Sequence, residues 1–140
     1  MITSSGDGMI AQWDVESGMM LSSSFEHTSD VMSLDVRPND PNTFASCSCD
    51  RTIKIWDTRT SAGSPSAGGA STAKGGGGAR GETPPPAPAP SSAGSVSSIV
   101  AFPSDVNAVR WFPDSQALGA AGDDHSCRLI DLRCMQEINK

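Results

Sequence analysis

The sequence predicts an all-β fold assembled from a repeated four-stranded unit. The first observation is a spacing: an aspartate is followed six positions later by Trp-Asp, at Asp7 and again at Asp50. A third copy starts at Asp124 and carries Ile130-Asp131 in place of Trp-Asp. The second observation is the alternation of apolar and polar residues over 31–36, which is the period of a half-buried strand. The third is the repeat length of about 43 residues, which is typical of one four-stranded blade of a β-propeller.

The strands of one unit can be placed in order along the middle copy. Residues 31–36 form the first predicted strand. Residues 43–48 and 53–58 are rich in β-forming residues, and the segment 49–52 between them has a length that suits a hairpin. In the first copy, residues 20–25 supply the strand that closes the unit. We therefore expect four antiparallel strands in each complete unit.

A low-complexity segment interrupts the middle copy. Residues 61–95 are almost entirely Gly, Ala, Ser, Thr and Pro, and they account for the extra distance between the second and third copies. Such a composition buries too little apolar surface to fold, so we expect a disordered insert in the loop between the third and fourth strands. The predicted division is 1–60 for the end of one blade and three strands of the next, 61–95 for the insert, and 96–140 for the remaining strand with three strands of a third blade.

Composition and charge exclude several classes of function. The 140 residues include ten Lys and Arg against sixteen Asp and Glu, a net charge of −6, which disfavours nucleic acid as a partner. No apolar run approaches the roughly 20 residues of a membrane span, so we expect no direct membrane insertion. Cys47, Cys49, Cys127 and Cys134 lack the C-x2-C spacing of a zinc site and are interpreted as free thiols. We predict no catalytic residues, no cofactor and no metal, and therefore no enzyme.

The repeat motifs resemble those of a known family. The strings that carry the resemblance are Thr3-Ser4-Ser5-Gly6-Asp7, Trp13-Asp14-Val15-Glu16-Ser17-Gly18, His27-Thr28-Ser29-Asp30-Val31-Met32-Ser33-Leu34, Gly122-Asp123-Asp124, Cys127-Arg128-Leu129 and Asp131-Leu132-Arg133. Through them the chain resembles the WD40 repeat family, and within it the β subunits of heterotrimeric guanine-nucleotide-binding proteins (G proteins). The resemblance covers residues 1–59 and 96–140. It implies a partial WD40 β-propeller of about two and a half blades out of a presumed seven, hence a fragment of a longer chain.

The resemblance implies a structural hydrogen-bonded tetrad in the middle blade. Its four positions are His27, Ser46, Asp50 and Trp56. We expect a relay from the indole N–H to the serine hydroxyl, then to the imidazole, and from the imidazole to the carboxylate. A Ser-His-Asp trio also occurs in hydrolases, but a serine inside a strand and under a tryptophan has no oxyanion hole. The tetrad is therefore predicted to stabilise the blade.

The other two copies match the tetrad less well. The first copy has a partial set, namely Thr3, Asp7 and Trp13. The third copy keeps Asp124 but has Phe102, Ala120 and Ile130 at the other three positions. We expect no tetrad in the third copy.

The resemblance also implies a partner-binding face, where the turns before the first strand and after the second strand of each blade emerge. The matching positions are Asp30, Met32, Cys49, Asp105, Asn107 and Asp123. The three aspartates would form an acidic rim able to meet Lys or Arg, and the methionine would offer an adaptable apolar contact. By resemblance, this face binds the GDP form of a G-protein α subunit and, after that subunit leaves, effectors. A γ subunit would bind the full-length parent, whose expected location is the cytoplasm, at the inner face of the plasma membrane.

Two alternatives to a role in signal transduction stay open. The first is a general WD40 scaffold, unrelated to G-protein signalling, that binds its partners through the propeller and the Pro-rich end of the insert. The second is a non-functional truncated gene model, since two and a half blades would leave unpaired strand edges and exposed apolar faces.

Overall fold

Eleven strands and no helix make up the described part of the chain, which is residues 1–61, 91–100, 102–134 and 136–139 of a computed structural model. The strands are β1 (Ile2–Ser4), β2 (Ile10–Trp13), β3 (Met20–Ser24), β4 (Val31–Val36), β5 (Thr43–Ser48), β6 (Thr52–Ser61), β7 (Ser91–Val100), β8 (Val106–Trp111), β9 (Ala117–Gly122), β10 (Cys127–Asp131) and β11 (Gln136–Asn139). The predicted all-β fold is confirmed.

Consecutive strands pair antiparallel and form three meanders. We call β1–β3 the first sheet, β4–β7 the second sheet and β8–β11 the third sheet. A short parallel pairing of β3 with the start of β7 joins the first and second sheets into one seven-stranded sheet. The third sheet is separate and has the order β11-β10-β9-β8. Each meander corresponds to one copy of the sequence repeat.

The strand bounds agree with the sequence in part. Strands β4 and β5 coincide with the predicted strands at 31–36 and 43–48. Strand β6 runs on to Ser61 and β7 begins at Ser91, so both ends of the predicted insert belong to strands. The prediction of disorder otherwise concerns 62–90, which lie outside the described residues. The third sheet contains β11, which the sequence did not predict because its four residues include one apolar side chain only.

The first and second sheets share an apolar interface. Ile10 of the first sheet packs with Val31, Phe44 and Trp56 of the second sheet. The rings of Phe44 and Trp56 stack with centroids 5.8 Å apart and an interplanar angle of 6°. All four side chains are buried, so the two sheets contact each other through a core and not only through strand edges.

The second and third sheets share a larger interface. Successive side chains of a strand point to opposite faces, so the neighbours of the residues above face the third sheet. The second sheet contributes Ala45, Cys47, Ile53 and Ile55, and the third sheet contributes Phe102, Val106, Val109, Trp111, Leu118, Ala120 and Ile130. The second sheet is therefore packed on both faces, as a blade inside a propeller is.

Polar contacts fix the position of the third sheet on the second. The carboxylate of Asp35 accepts the backbone N–H of Trp111 at 2.7 Å, and its carbonyl accepts the Trp111 indole N–H at 3.1 Å. The guanidinium of Arg37 donates to the carbonyl of Ser115 at 2.6 Å and lies 5.2 Å from the Trp111 ring centroid. These contacts are directional, so they select one orientation of two faces that apolar packing alone would leave free to slide.

Candidate functional site

Four side chains at the centre of the second sheet form one hydrogen-bonded chain. The indole N–H of Trp56 donates to Ser46 Oγ at 2.8 Å, and Ser46 Oγ lies 2.7 Å from His27 Nε2. His27 Nδ1 lies 2.8 Å from Asp50 Oδ2. Strand β5 supplies the serine, β6 the tryptophan, the β5–β6 turn the aspartate and the β3–β4 loop the histidine. The structure thus brings together all four residues assigned to the tetrad. Their hydrogen bonds link the β3–β4 loop to β5, to β6 and to the turn between these two strands.

The protonation states of this chain follow from its surroundings. Burial lowers the pKa of His27, and the hydrogen bond to Asp50 only partly offsets this effect, so the imidazole is neutral at pH 7. Burial acts to raise the pKa of Asp50, but hydrogen bonds from Thr52, His27 and the Thr28 N–H outweigh it and bring the pKa to about 2. An ionised carboxylate only accepts, so Nδ1 carries the imidazole proton and Nε2 accepts from the Ser46 hydroxyl. Every buried polar atom of the tetrad then has a partner.

The first sheet has the beginning of such a chain. The Trp13 indole N–H donates to Thr3 Oγ1 at 2.8 Å, and Asp7 accepts the backbone N–H of Met9 at 3.0 Å. Between them Gly8 has a φ of 85°, and a Cβ added there would lie 2.7 Å from the His27 carbonyl oxygen. The β1–β2 turn of the first sheet therefore packs directly against the backbone of the loop that carries the tetrad histidine.

A different set of contacts replaces the tetrad in the third sheet. Phe102 occupies the position of the histidine, and the guanidinium of Arg128 lies 4.4 Å from its ring centroid. The same guanidinium pairs with Asp124 at 2.7 Å, and the Arg128 residue is only 7% exposed. A cation over an aromatic face, joined to a carboxylate, thus connects the same loop, strand and turn. Arg128 occurs in the motif strings but was not among the predicted site residues, because its contact with Phe102 joins segments that are distant in sequence.

The residues assigned to the partner-binding face gather at one edge of the second and third sheets. Asp30 precedes β4 and Cys49 follows β5, while Asp105 precedes β8 and Asp123 follows β9. The Cys49 N–H donates to the Asp30 carbonyl and the Asp123 N–H to the Asp105 carbonyl, each at 3.0 Å. Asn107 Nδ2 donates to the Asp123 carboxylate. We call these five residues the acidic rim.

Cys49 joins the two halves of the acidic rim. Burial raises the pKa of its thiol, and so do the hydrogen bond to Asp105 and the charges of Asp105, Asp30 and Asp123. The thiol is therefore protonated at neutral pH and donates to a carboxylate. Cys49 thus lies near acidic residues of both sheets. The rim is a concentrated negative surface across two sheets.

Met32 lies beside the acidic rim on β4, with 49% of its surface exposed. It is the residue between Val31 and Ser33, where the register of β4 against β5 shifts. Asp30, Asn107 and Asp123 are also exposed, and Asp105 and Cys49 are partly exposed. The six residues are thus available to a partner, and their role in binding stays a prediction.

The outer face of the third sheet forms an open apolar groove of about 450 Å³. Its floor includes Gly119, Ala121, Cys127 and Leu129. With Asp50 and Asp124 as reference points, these residues are the repeat counterparts of Ala45, Cys47, Ile53 and Ile55, which the third sheet buries in the second. The groove therefore repeats a surface that is an interface elsewhere in the molecule.

Metal ligands, membrane-spanning helices and reactive thiols are three further features that a functional site can require. Among the described residues, no three or more His, Cys, Asp or Glu side chains lie where they could hold a metal ion. The same part of the chain has no helix of the length and apolarity that crossing a membrane requires. The four cysteines are free, and burial raises the pKa of Cys47 to about 12, which makes that thiol unreactive.

Successive antiparallel meanders, packed face to face with a tetrad at the centre of one of them, define a partial β-propeller. The family model described as "WD domain, G-beta repeat" matches residues 19–57 and 94–131, more than half of the chain. The chain belongs to this WD40 family. The resemblance inferred from the sequence motifs is confirmed.

The curated relatives of the chain are named as G-protein β subunits. The guanine nucleotide-binding protein subunit beta of Solanum tuberosum is 34% identical in an alignment of 138 positions that covers 95% of this chain and 28% of the relative. The Arabidopsis thaliana protein of the same name is 33% identical with the same coverage. Subunit beta-1 of Nicotiana tabacum is 31% identical in an alignment of 143 positions, gaps included, that covers 99% of this chain and 30% of the relative. The chain is a G-protein-β-like WD40 protein and spans less than a third of the length of these relatives.

Proposed function

We propose that this chain provides part of the surface by which a WD40 signalling subunit binds the GDP form of a G-protein α subunit. The observation that carries the proposal is the acidic rim, in which turns of two neighbouring sheets place Asp30, Asp105 and Asp123 at one edge. A partner with Lys or Arg side chains facing the rim would gain charge-assisted hydrogen bonds, and its approach would be accelerated by the negative field. The relatives named as subunits of guanine nucleotide-binding proteins support an α subunit as that partner.

The same surface offers a site for effectors. Met32 is exposed beside the rim, and a flexible thioether adapts to apolar groups of different shape. An α subunit and an effector would then compete for one face, and effectors would bind after the α subunit leaves. In the full-length parent a γ subunit would supply the attachment to the inner face of the plasma membrane. The chain itself would act by binding and not as an enzyme.

The test is a binding measurement with an α subunit loaded with GDP or with a non-hydrolysable GTP analogue. We expect binding in the GDP state only, with an affinity that falls as salt is added. The double substitution Asp30→Lys and Asp123→Lys should weaken it by at least about tenfold, which corresponds to about 1.4 kcal/mol, because like charges then face the partner.

The control carries the same change in net charge away from the rim. Glu16 and Asp114 are exposed in the β2–β3 and β8–β9 turns, at the opposite edge of their sheets. The variant that combines Glu16→Lys with Asp114→Lys should bind the α subunit with the affinity of the unsubstituted chain. Equal losses in the two double variants would show a general charge effect, and the absence of binding in the GDP state would contradict the proposal. Loss of binding on deletion of 62–90, which leaves β6, β7 and the rim intact, would favour the general scaffold.

A further inference from the structure

Ile99, near the end of β7, packs against the core between the second and third sheets, but the residues before it have little to set their register. The strand follows residues 62–90, and its sequence from Gly94 to Ser98 contains one bulky residue, Val96, which is 60% exposed. The pairing of β7 with β6 shifts twice, on either side of Trp56. A stretch of small polar residues such as 94–98 is prone to slip, because it contributes no buried apolar set that distinguishes one register from the next.

A single carboxylate from another segment contacts β7 at its least regular part. Glu26 Oε1 accepts the backbone N–H of Ser95 at 3.0 Å, and its second oxygen accepts the Ser95 hydroxyl. Glu26 Oε2 also lies 3.7 Å from Lys54 Nζ on β6. Ser95 is the register partner of Trp56, the tetrad tryptophan, so the carboxylate joins both strands beside the shift. The Ser95 N–H can reach the Glu26 carboxylate only when β7 pairs with β6 in this register.

The carboxylate belongs to the sheet that contains the insert. The residue before Phe102, at the equivalent position of the third repeat, is Ala101, which has no acidic group. The counterpart of Lys54 is Arg128, which pairs with Asp124 of its own turn. In the third sheet the cation pairs with the aspartate of its own hairpin turn. In the second sheet Lys54 pairs instead with Glu26, which also contacts β7.

We propose that Glu26 is a register clamp that fixes β7 on β6 after the long insert. The clamp lies next to His27, so it also ties the middle of β7 to the loop that carries the tetrad histidine. It is a positioning device and is independent of the binding function proposed above. It explains how the part of β7 before Ile99, which lacks an apolar pattern, stays paired with β6.

Amide hydrogen exchange of the whole chain, followed residue by residue at pH 7, tests the clamp. In Glu26→Gln the charge is lost and the shape is kept, and in Glu26→Ala both are lost. We expect exchange of the amides of Ser95, Ser97 and Ser98 to accelerate by about tenfold or more in Glu26→Ala and by less in Glu26→Gln. Exchange in β5 and β9 should be unchanged in both variants.

The matched controls are Ser98→Ala, an exposed side chain on the same strand, and Glu16→Gln, an exposed glutamate elsewhere. In both control variants the amides of β7 should exchange at the same rate as in the unsubstituted chain. Unchanged β7 exchange in Glu26→Ala would overturn the proposal. So would an equal acceleration in β5, since that would show a loss of global stability. The Gln variant gives the same comparison if the Ala variant fails to fold.

Discussion

At the scale of single residues, the chemistry of the second sheet depends on a neutral imidazole. His27 is 4% exposed and lies between a hydroxyl donor and an ionised carboxylate, so its proton is fixed on Nδ1. Protonation of Nε2 would place a second donor against Ser46, whose oxygen already accepts from Trp56. The uncharged state of one side chain thus supports the hydrogen bonds of three others.

The stability of the chain should depend on pH through this residue. The pKa of His27 in the folded state lies below the ordinary value of 6.5. Below about pH 6.5 the histidine therefore binds a proton in the unfolded chain but not in the folded chain. The free energy of unfolding decreases as the pH is lowered. We expect a loss of up to about 1.4 kcal/mol per pH unit on acidification through the range between the two pKa values. Urea unfolding at a series of pH values from 7.5 to about 5 would measure it.

The second histidine of the sequence supplies the control. His125 is exposed in the β9–β10 turn, so His125→Gln should keep the pH dependence of the parent. His27→Gln should be less stable at pH 7 and should show a flatter profile over the same range. A parent-like slope in His27→Gln would show that other groups cause the acid sensitivity. The Asp50 carboxylate adds its own loss only as pH falls from 3.8 toward about 2.

The sequence predicted the tetrad better than its replacement in the third sheet. The resemblance to WD40 repeats assigned the four tetrad positions, and the structure brings His27, Ser46, Asp50 and Trp56 together. The role of Arg128 depends on the distance between its guanidinium and a ring from another segment, which spacing along one strand does not encode.

At the scale of single elements, three hairpin turns share one strained position. Gly8, Arg51 and His125 follow the repeat aspartates and have φ values of 85°, 68° and 60°. This left-handed region costs a residue with a Cβ about 1–2 kcal/mol, and glycine avoids that cost. The first copy therefore uses the residue that its turn favours, and the other two do not.

Replacing a strained residue by glycine should stabilise the chain. We expect Arg51→Gly and His125→Gly each to raise the free energy of unfolding by about 0.5–1 kcal/mol, because relief of strain outweighs the added freedom of the unfolded chain. Denaturant unfolding at pH 7 measures both.

The converse substitutions separate strain from steric overlap. Gly18 has a φ of 68° and nothing within 4 Å of an added Cβ, so Gly18→Ala should cost strain only, about 1 kcal/mol. In Gly8→Ala the methyl group would also meet the His27 carbonyl at 2.7 Å, so the loss should be larger. Equal losses for the two alanines, or a loss for Arg51→Gly, would contradict this account of the turns.

Strands were predictable where alternation or a run of β-forming residues marks them. Strand β4 alternates and β5 is rich in β-forming residues; both pack on a neighbouring sheet, and their predicted bounds match. Strands β7 and β11 carry few apolar residues, so pairing with the preceding strand defines them and periodicity does not. In the middle of β7, Ser95 also contacts Glu26, which belongs to a different segment.

At the scale of the whole molecule, repeat symmetry explains both the cores and the groove. The second sheet is packed on both faces, and the third sheet presents Gly119, Ala121, Cys127 and Leu129 as the counterparts of a buried set. The sequence predicted exposed apolar faces from the count of strands. It did not predict which residues form them, because that depends on the direction in which the sheets stack.

The groove should bind a fluorescent hydrophobic dye. Its lining is mostly apolar and open to solvent, so a dye that is bright only in apolar surroundings should give a strong signal with the folded chain. Leu129 is partly exposed at the centre of the lining, and Leu129→Lys would place a charge there without removing a side chain from the cores between the sheets. We expect the signal to fall by more than half. Val15→Lys, at a position 71% exposed on the first sheet's β2–β3 turn, should leave it unchanged. A fall of the same size in Val15→Lys would show that the dye reports general exposure and not the groove.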